Sequence, residues 1–378
     1  MGWNVPLSDV VFDNEEFSAV QKVLESGWLT MGAVTQDFEQ EFAAYTGSKH
    51  AFAVNNATAA LHLACQAFGL GPGDEVIVPS LTFVATANAI RYTGATPVFV
   101  DIISETDLTI SPEAIEKAIT PKTKAIMIMH YSGYACDMSR IMEIAKKHNL
   151  QVIEDAAHAA GSYLDGKHLG SFGIAGCFSF FSNKNMTTGE GGMVITDNDE
   201  MAEKIRVLRS HGMTSMTWDR HQGHAWSYDV VALGFNYRID EIRSALGRVQ
   251  LSKLKGYNTR RRELTQLYWE MLQELTPEVI IPFENHAGIS SCHIMPIVLP
   301  QKADRLHFME KMKEKGIQTS IHYPPIHRFS AFKDSFDRPL SLAVTDDVAS
   351  REVTLPLYPT LTNEQVKSVV LAVRDALK

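Results

Sequence analysis

Ala125–His130 (AIMIMH), Met138–His148 (MSRIMEIAKKH) and Gln151–Glu154 (QVIE), which runs into Asp155, together decide the fold of this chain. An unbroken apolar run, an amphipathic stretch and a second apolar run predict strand, helix and strand, the repeat unit of a parallel sheet. The alternation extends upstream. Glu75–Pro79 and Pro97–Ile102 read as strands, and Thr82–Tyr92 and Pro112–Ile119 as helices. From about Ser48 to Thr196 the chain therefore reads as α/β, with a mainly parallel central sheet buried on both faces and flanked by helices. Ligands of such sheets gather outside the carboxyl ends of the strands.

Downstream, Ile239, Ile242, Leu246, Val249, Leu251 and Leu254 approximate a helical period and predict a long helix from Arg238 to Arg262. This helix is expected to lead from a large domain (1–250) into a smaller α+β domain (251–378). The second domain has strands near Cys292–Leu299 and Gln318–His322 and helices near Ala303–Lys315 and Asn363–Lys378.

Bulk properties narrow the function. The 378 residues are 45% hydrophobic and 21% charged, as in an ordinary globular protein. With a net charge of -9, the chain offers no clustered basic surface for nucleic acid. The short run Arg260-Arg261-Arg262 is expected to be the solvated face of a helix. No apolar stretch is long enough to cross a membrane and no leader is visible, so a cytoplasmic location is expected. Cys65, Cys136, Cys177 and Cys292 are dispersed and are expected to be buried thiols in a reducing compartment. His221 with His224, and His322 with His327, lack a third ligand at a familiar spacing, so no metal site is expected.

The chemistry concentrates after the predicted strands. In Phe178–Gly192 (FSFFSNKNMTTGEGG) an apolar run ends in a polar corner holding Lys184, then a threonine pair and glycines that permit close backbone approach. A loop lysine is ordinarily surface decoration; Lys184 is set apart by its surroundings. Ser179 can donate a hydroxyl to a phosphate. Asp155 either caps the helical turn that follows or pairs with a protonated pyridine nitrogen. His158 is either a core histidine or a neighbour of a bound ring. Asn55-Asn56-Ala57-Thr58 opens a helix, whose free N–H groups favour an anion, making Ala57 and Thr58 phosphate candidates. Phe83, after the strand ending at Pro79, could stack on a flat ring or join the core. A lysine, an aspartate and a hydroxyl converging on one pocket are what pyridoxal 5'-phosphate requires. Two look-alikes fail: Gly161–Lys167 starts like a nucleotide-binding loop, but His168 stands where Ser or Thr must hold magnesium. Gly69–Gly73 lacks the third glycine of a dinucleotide fingerprint.

These segments resemble the DegT/DnrJ/EryC1/StrS sugar aminotransferases, fold-type I pyridoxal-phosphate enzymes. The resemblance covers nearly the whole chain. It includes Ser26–Gly32, Gly73–Phe83, Glu154–His158, Lys184 with Thr187–Gly192, Gly234–Arg238 and His322–His327. It implies that Lys184 forms the covalent Schiff base and shuttles the proton, that Asp155 binds the pyridine nitrogen, and that Phe83 stacks on the ring. Ser179, Ala57 and Thr58 would hold the phosphate; many relatives have glycine where Ala57 stands, but a backbone N–H contact tolerates a methyl group at negative φ. Asn236 would reach the cofactor phosphate of a neighbouring subunit, making a homodimer with shared sites. Trp28, Arg238, His322 and Tyr323 would lie on the substrate side.

The resemblance thus implies an aminotransferase that takes the amino group of L-glutamate and delivers it to a keto-sugar on a nucleoside diphosphate. A free keto-cyclitol such as an inosose is the alternative acceptor. Related sugar dehydratases carry histidine in place of the lysine, so Lys184 argues against that reaction. A non-enzymatic regulatory protein would not need Lys184 with Asp155 and Ser179.

Overall fold

The computed structural model describes residues 2–215, 218, 223, 227–333 and 340–378. At its centre is a seven-stranded sheet. In chain order its strands are β1 (His50–Val54), β2 (Glu75–Pro79), β3 (Thr96–Val100), β4 (Thr123–Met129), β5 (Gln151–Asp155), β6 (Ala175–Ser179) and β7 (Gly192–Thr196). Across the sheet the order is β1-β7-β6-β5-β4-β2-β3. Strands β6, β5, β4, β2 and β3 are parallel, whereas β7 runs antiparallel to both its neighbours. The apolar runs are continuous because both faces are covered. Val76, Val78, Ala125, Met127 and Ile153 enter one cluster of the core, and Ile77, Ile126, Ile128 and Val152 enter another. Successive side chains of a strand point to opposite faces, so each face needs its own apolar set.

The N-terminal helices Asn14–Ser26 and Ala33–Thr46, not anticipated from the sequence, pack on the long helix. Ala33–Thr46 lacks a side-chain cap of its own. Instead, buried Glu241 accepts hydrogen bonds from Gly32 N (2.8 Å), Val34 N (2.9 Å) and Thr35 N (2.9 Å). A carboxylate at a helix N-terminus satisfies otherwise unpaired N–H groups.

The long helix runs from Glu241 to Leu275, later at both ends than expected, with Asp240 as its N-cap. Residue 250, the expected division of the chain, lies inside it. The expected strand Gln318–His322 is reduced to a single bridge between Ser320 and Thr354. The partner of β8 (Met295–Val298) is β9 (Glu352–Leu355), in antiparallel pairing. Arg261 corrects a further expectation: it is buried, and its Nη1 donates to the carbonyls of His293 (3.1 Å) and Leu357 (2.9 Å). A guanidinium can be buried where carbonyl oxygens take its donors.

All four cysteines are buried and free. Among the described residues no helix is long and apolar enough to cross a membrane. His221 and His224 lie outside the described residues. Elsewhere His322 bonds Thr354 and His327 bonds Ser80, and no group of three potential metal ligands is found among the described residues.

Candidate active site

The carboxyl ends of β5 and β6 and the start of the helix Ala57–Phe68 open onto a cleft of about 990 Å³. Ala57, Thr58, Phe83, Asp155, His158, Ser179, Lys184, His322 and Tyr323 all line it, so residues far apart in the chain meet there. Trp28, Asn236 and Arg238 do not line it. Trp28 packs edge-on against Trp218, with ring centroids 4.8 Å apart. Arg238 donates to Ser210 Oγ (3.0 Å), and Asn236 is exposed beside Ser210.

Lys184 sits on a loop that its backbone holds tightly. Phe180 N donates to Gly191 O (2.9 Å), Thr188 N to Phe180 O (3.0 Å), and Thr187 N to Gln250 Oε1 (3.3 Å) on the long helix. Lys184 Nζ lies 3.3 Å from His293 Nε2. Burial pushes its pKa down to about 7, with Asp155 acting in the opposite direction. An amine with that pKa is substantially neutral at physiological pH, as a nucleophile must be.

Asp155 is the last residue of β5 and is buried. Thr86 Oγ1 donates to its Oδ2 (2.7 Å) and Ala157 N to its Oδ1 (3.1 Å). Burial raises its pKa, against these donors and the nearby Lys184. A carboxylate in this environment gains from a cationic partner.

His158 is also buried. Ser132 N donates to its Nδ1 (3.2 Å), so the hydrogen is on Nε2 and faces the hydroxyl oxygen of Tyr323 (2.9 Å). Burial moves its pKa well below the ordinary value, with Lys184 adding to the shift, so the ring is neutral. The Tyr323 ring lies 5.9 Å from that of Phe83. His322 is held by Thr354 Oγ1 (2.8 Å) at Nδ1, and burial pushes its pKa down to about 3.

The start of the helix Ala57–Phe68 forms a cradle that glycine makes possible. Asn56 caps the helix Ala57–Phe68 by accepting from Ala59 N (2.8 Å), which leaves the first N–H groups to the cleft. Ala57 lies in the first helical turn and is absent from the positive-φ residues, so its methyl group introduces no strain. Gly192 passes directly behind: a Cβ there would stand 2.6 Å from Asn56 C and 2.8 Å from Ala57 N. Gly192→Ala is therefore expected to destabilise the fold by about 1–3 kcal/mol. It should also speed loss of a bound phosphate group, measured as cofactor retained after dialysis.

The amine, the buried carboxylate and this anion cradle fit pyridoxal phosphate, with one group for each of its three handles. Several contributors were missed in the sequence. Asn55 and Asn183 line the cleft, each with a buried amide oxygen that has no hydrogen-bond partner among the described residues. Glu190 and Arg243 also line it. Asn183 and Glu190 at least flank Lys184 in the quoted run. His293, by contrast, is 109 residues away from Lys184 with no local signature.

Fold and site define a fold-type I pyridoxal-phosphate aminotransferase. Residues 11–374 match the family model of the DegT/DnrJ/EryC1/StrS aminotransferases, and the chain belongs to that family, whose members are pyridoxal-phosphate-dependent sugar aminotransferases. It is 41% identical to the spore coat polysaccharide biosynthesis protein SpsC of Bacillus subtilis over 99% of this chain and 97% of that protein. It superposes on Helicobacter pylori PseC, an aminotransferase involved in the biosynthesis of pseudoaminic acid, with a TM-score of 0.93 and 32% identity, covering 99% of each chain. DesI, solved in the presence of its TDP-sugar product, matches with a TM-score of 0.89 and 30% identity over 100% of this chain and 93% of that one.

Proposed function

We propose that this enzyme moves the amino group of L-glutamate to a keto-sugar carried on a nucleoside diphosphate, in the making of an amino sugar for a polysaccharide. The observation that carries this reading is a Lys184–Asp155 pair in a cleft of about 990 Å³, with room for more than the cofactor. The TDP-sugar product of DesI and the polysaccharide role of SpsC support a nucleotide-linked acceptor.

Bound pyridoxal phosphate supplies an aldehyde that condenses with amines and a pyridinium ring that withdraws electrons. The chain's own residues do the rest. Lys184 offers a neutral amine at Nζ and carries a proton to and from the reacting carbon. Asp155 would hold the ring nitrogen, its carboxylate favouring the protonated form of that nitrogen. Ser179 and the N–H groups of Ala57 and Thr58 anchor the phosphate. Phe83 and His158, both on the cleft wall, would flank the cofactor ring, and His322 and Tyr323, on the same wall, would face the substrate. Asn236, exposed and off this cleft, serves the phosphate site of a partner subunit.

The acceptor is tested by supplying glutamate with either a nucleotide-linked keto-sugar or a free inosose and following 2-oxoglutarate. Turnover with the nucleotide sugar and not with inosose is expected; turnover only with inosose, or amino-sugar product formed only with alanine (releasing pyruvate) or glutamine (releasing 2-oxoglutaramate) as donor, overturns the reading. Sharing of sites has its own test. An Asn236→Ala chain is expected to lose cofactor, and mixing it with an inactive Lys184 variant should restore activity that neither shows alone. Failure of mixed, co-refolded chains to recover activity would place Asn236 outside the site.

A further inference from the structure

A chain of buried amides leads from the core to the Lys184 amine, and its direction can be read atom by atom. It starts at the carbonyl of Ala160, which can only accept, and takes its hydrogen from Asn258 Nδ2 (2.9 Å). Asn258 Oδ1 is thereby turned to Asn185 and accepts from Asn185 Nδ2 (2.7 Å). That same Nδ2 donates to the carbonyl of Ser291 (2.8 Å), a second acceptor-only anchor. Both amides are thus oriented, and Asn185 Oδ1 faces His293 Nδ1 at 2.9 Å. An amide oxygen there requires the hydrogen of His293 on Nδ1, which leaves Nε2 bare, 3.3 Å from Lys184 Nζ.

We propose that Asn258, Asn185 and His293 form a one-way hydrogen-bond relay that fixes His293 as the Nδ1–H tautomer and makes it the positioning residue for the Lys184 amine. Asn185, Asn258 and His293 are all buried, so bulk water does not scramble the order. His293 acts as an acceptor and not as a base. Burial, reinforced by Lys184, moves its pKa well below the ordinary value, and Arg261 behind it adds to the shift. The titratable groups around the amine are Asp155, His158, His293 and His322, with Arg261 behind His293. Of these, Asp155 is the group that favours the ammonium form of Lys184. His293 therefore holds a hydrogen of Lys184 and aims the amine without taking its proton. The inference rests on the reading of Lys184 as the reactive amine.

The test uses the full-length chain freed of cofactor. Histidine ¹⁵N resonances, with His293 assigned by loss in His293→Gln, report the tautomer directly. Nδ1–H is expected near neutral pH, and an Nε2–H signal overturns the relay whatever any variant does. Next, competitive acylation of Lys184, read by peptide mass across pH, is expected to have its midpoint near pH 7 in the native chain. Asn185→Leu removes the acceptor and frees His293 to take the Nε2–H form, which presents a donor to the ammonium. The midpoint should fall by about one pH unit. A folded Asn185→Leu chain with unchanged tautomer and midpoint overturns the proposal. Failure of the cofactor assignment would show separately, as Lys184 left unmodified after pyridoxal phosphate and borohydride.

Discussion

Replacing Lys184 with methionine is expected to lower turnover by at least about 10³-fold and to abolish borohydride-stable attachment of the cofactor. Methionine keeps most of the side-chain volume, so the loop pinned by Phe180 and Gln250 should remain in place. The same substitution has a pH-dependent effect on stability. In the unfolded chain the lysine titrates near 10.5, whereas in the cofactor-free fold its pKa is about 7. Between those values the unfolded state binds more protons, so stability attributable to this site rises with pH. Lysine thus weakens the fold most below about pH 7, and the penalty fades as pH approaches 10.5. Lys184→Met should therefore stabilise the cofactor-free chain by on the order of 3 kcal/mol near pH 6, and by much less near pH 10. Denaturant midpoints at the two pH values check this; an equal effect at both would show that the amine is not desolvated.

Asp155→Asn is expected to reduce turnover by about 10²–10⁴-fold while leaving the fold intact. Ala157 N donates to Oδ1, so the oxygen of the asparagine must stay there and its NH₂ group takes the place of Oδ2. Thr86 Oγ1 then becomes the acceptor. Its hydroxyl hydrogen has other outlets, Phe83 O at 3.0 Å and Thr82 Oγ1 at 2.8 Å. The loss is thus chemical: a neutral amide cannot keep the ring nitrogen protonated. In the cofactor-free chain, burial raises the pKa of the Asp155 carboxyl, so its ionised form lowers stability as pH rises through that value. The asparagine variant should accordingly be at least as stable as the native chain at neutral pH. Steady-state rates with a thermal melt separate these outcomes; a variant that is both unfolded and inactive would make Asp155 a structural residue.

Strand and helix were legible where the physics is local. Both-face burial of a parallel strand demands an unbroken apolar run, and Ile126–Met129 or Val152–Ile153 carry that demand in their composition. Lys184, Asp155 and Ser179 could be picked out for a similar reason, since each follows such a run and a parallel sheet puts its ligands there. The helices at 14–26 and 33–46 were missed even though Asp13 and Glu16 form a capping box, and the pairing of β9 with β8 replaced an expected strand at 318–322. The first of these helices carries that local signal; the second, capped by Glu241, and the pairing of β9 with β8 rest on contacts between distant segments. Arg261 shows the same limit: an arginine between two arginines looks solvent-facing until two carbonyls from other segments meet it.

From the amino-acid order alone come the α/β class, the cofactor and a lysine proposed to serve it, because periodicity and turn composition act over neighbouring residues. Folding in three dimensions adds what depends on convergence. It desolvates Lys184, sets its pKa at about 7, and brings His293, 109 residues away, within 3.3 Å. It also separates Trp28, Asn236 and Arg238 from the cleft that the other candidates share. Hydrogen-bond direction and desolvation belong to an assembled environment, and no short stretch of sequence encodes them.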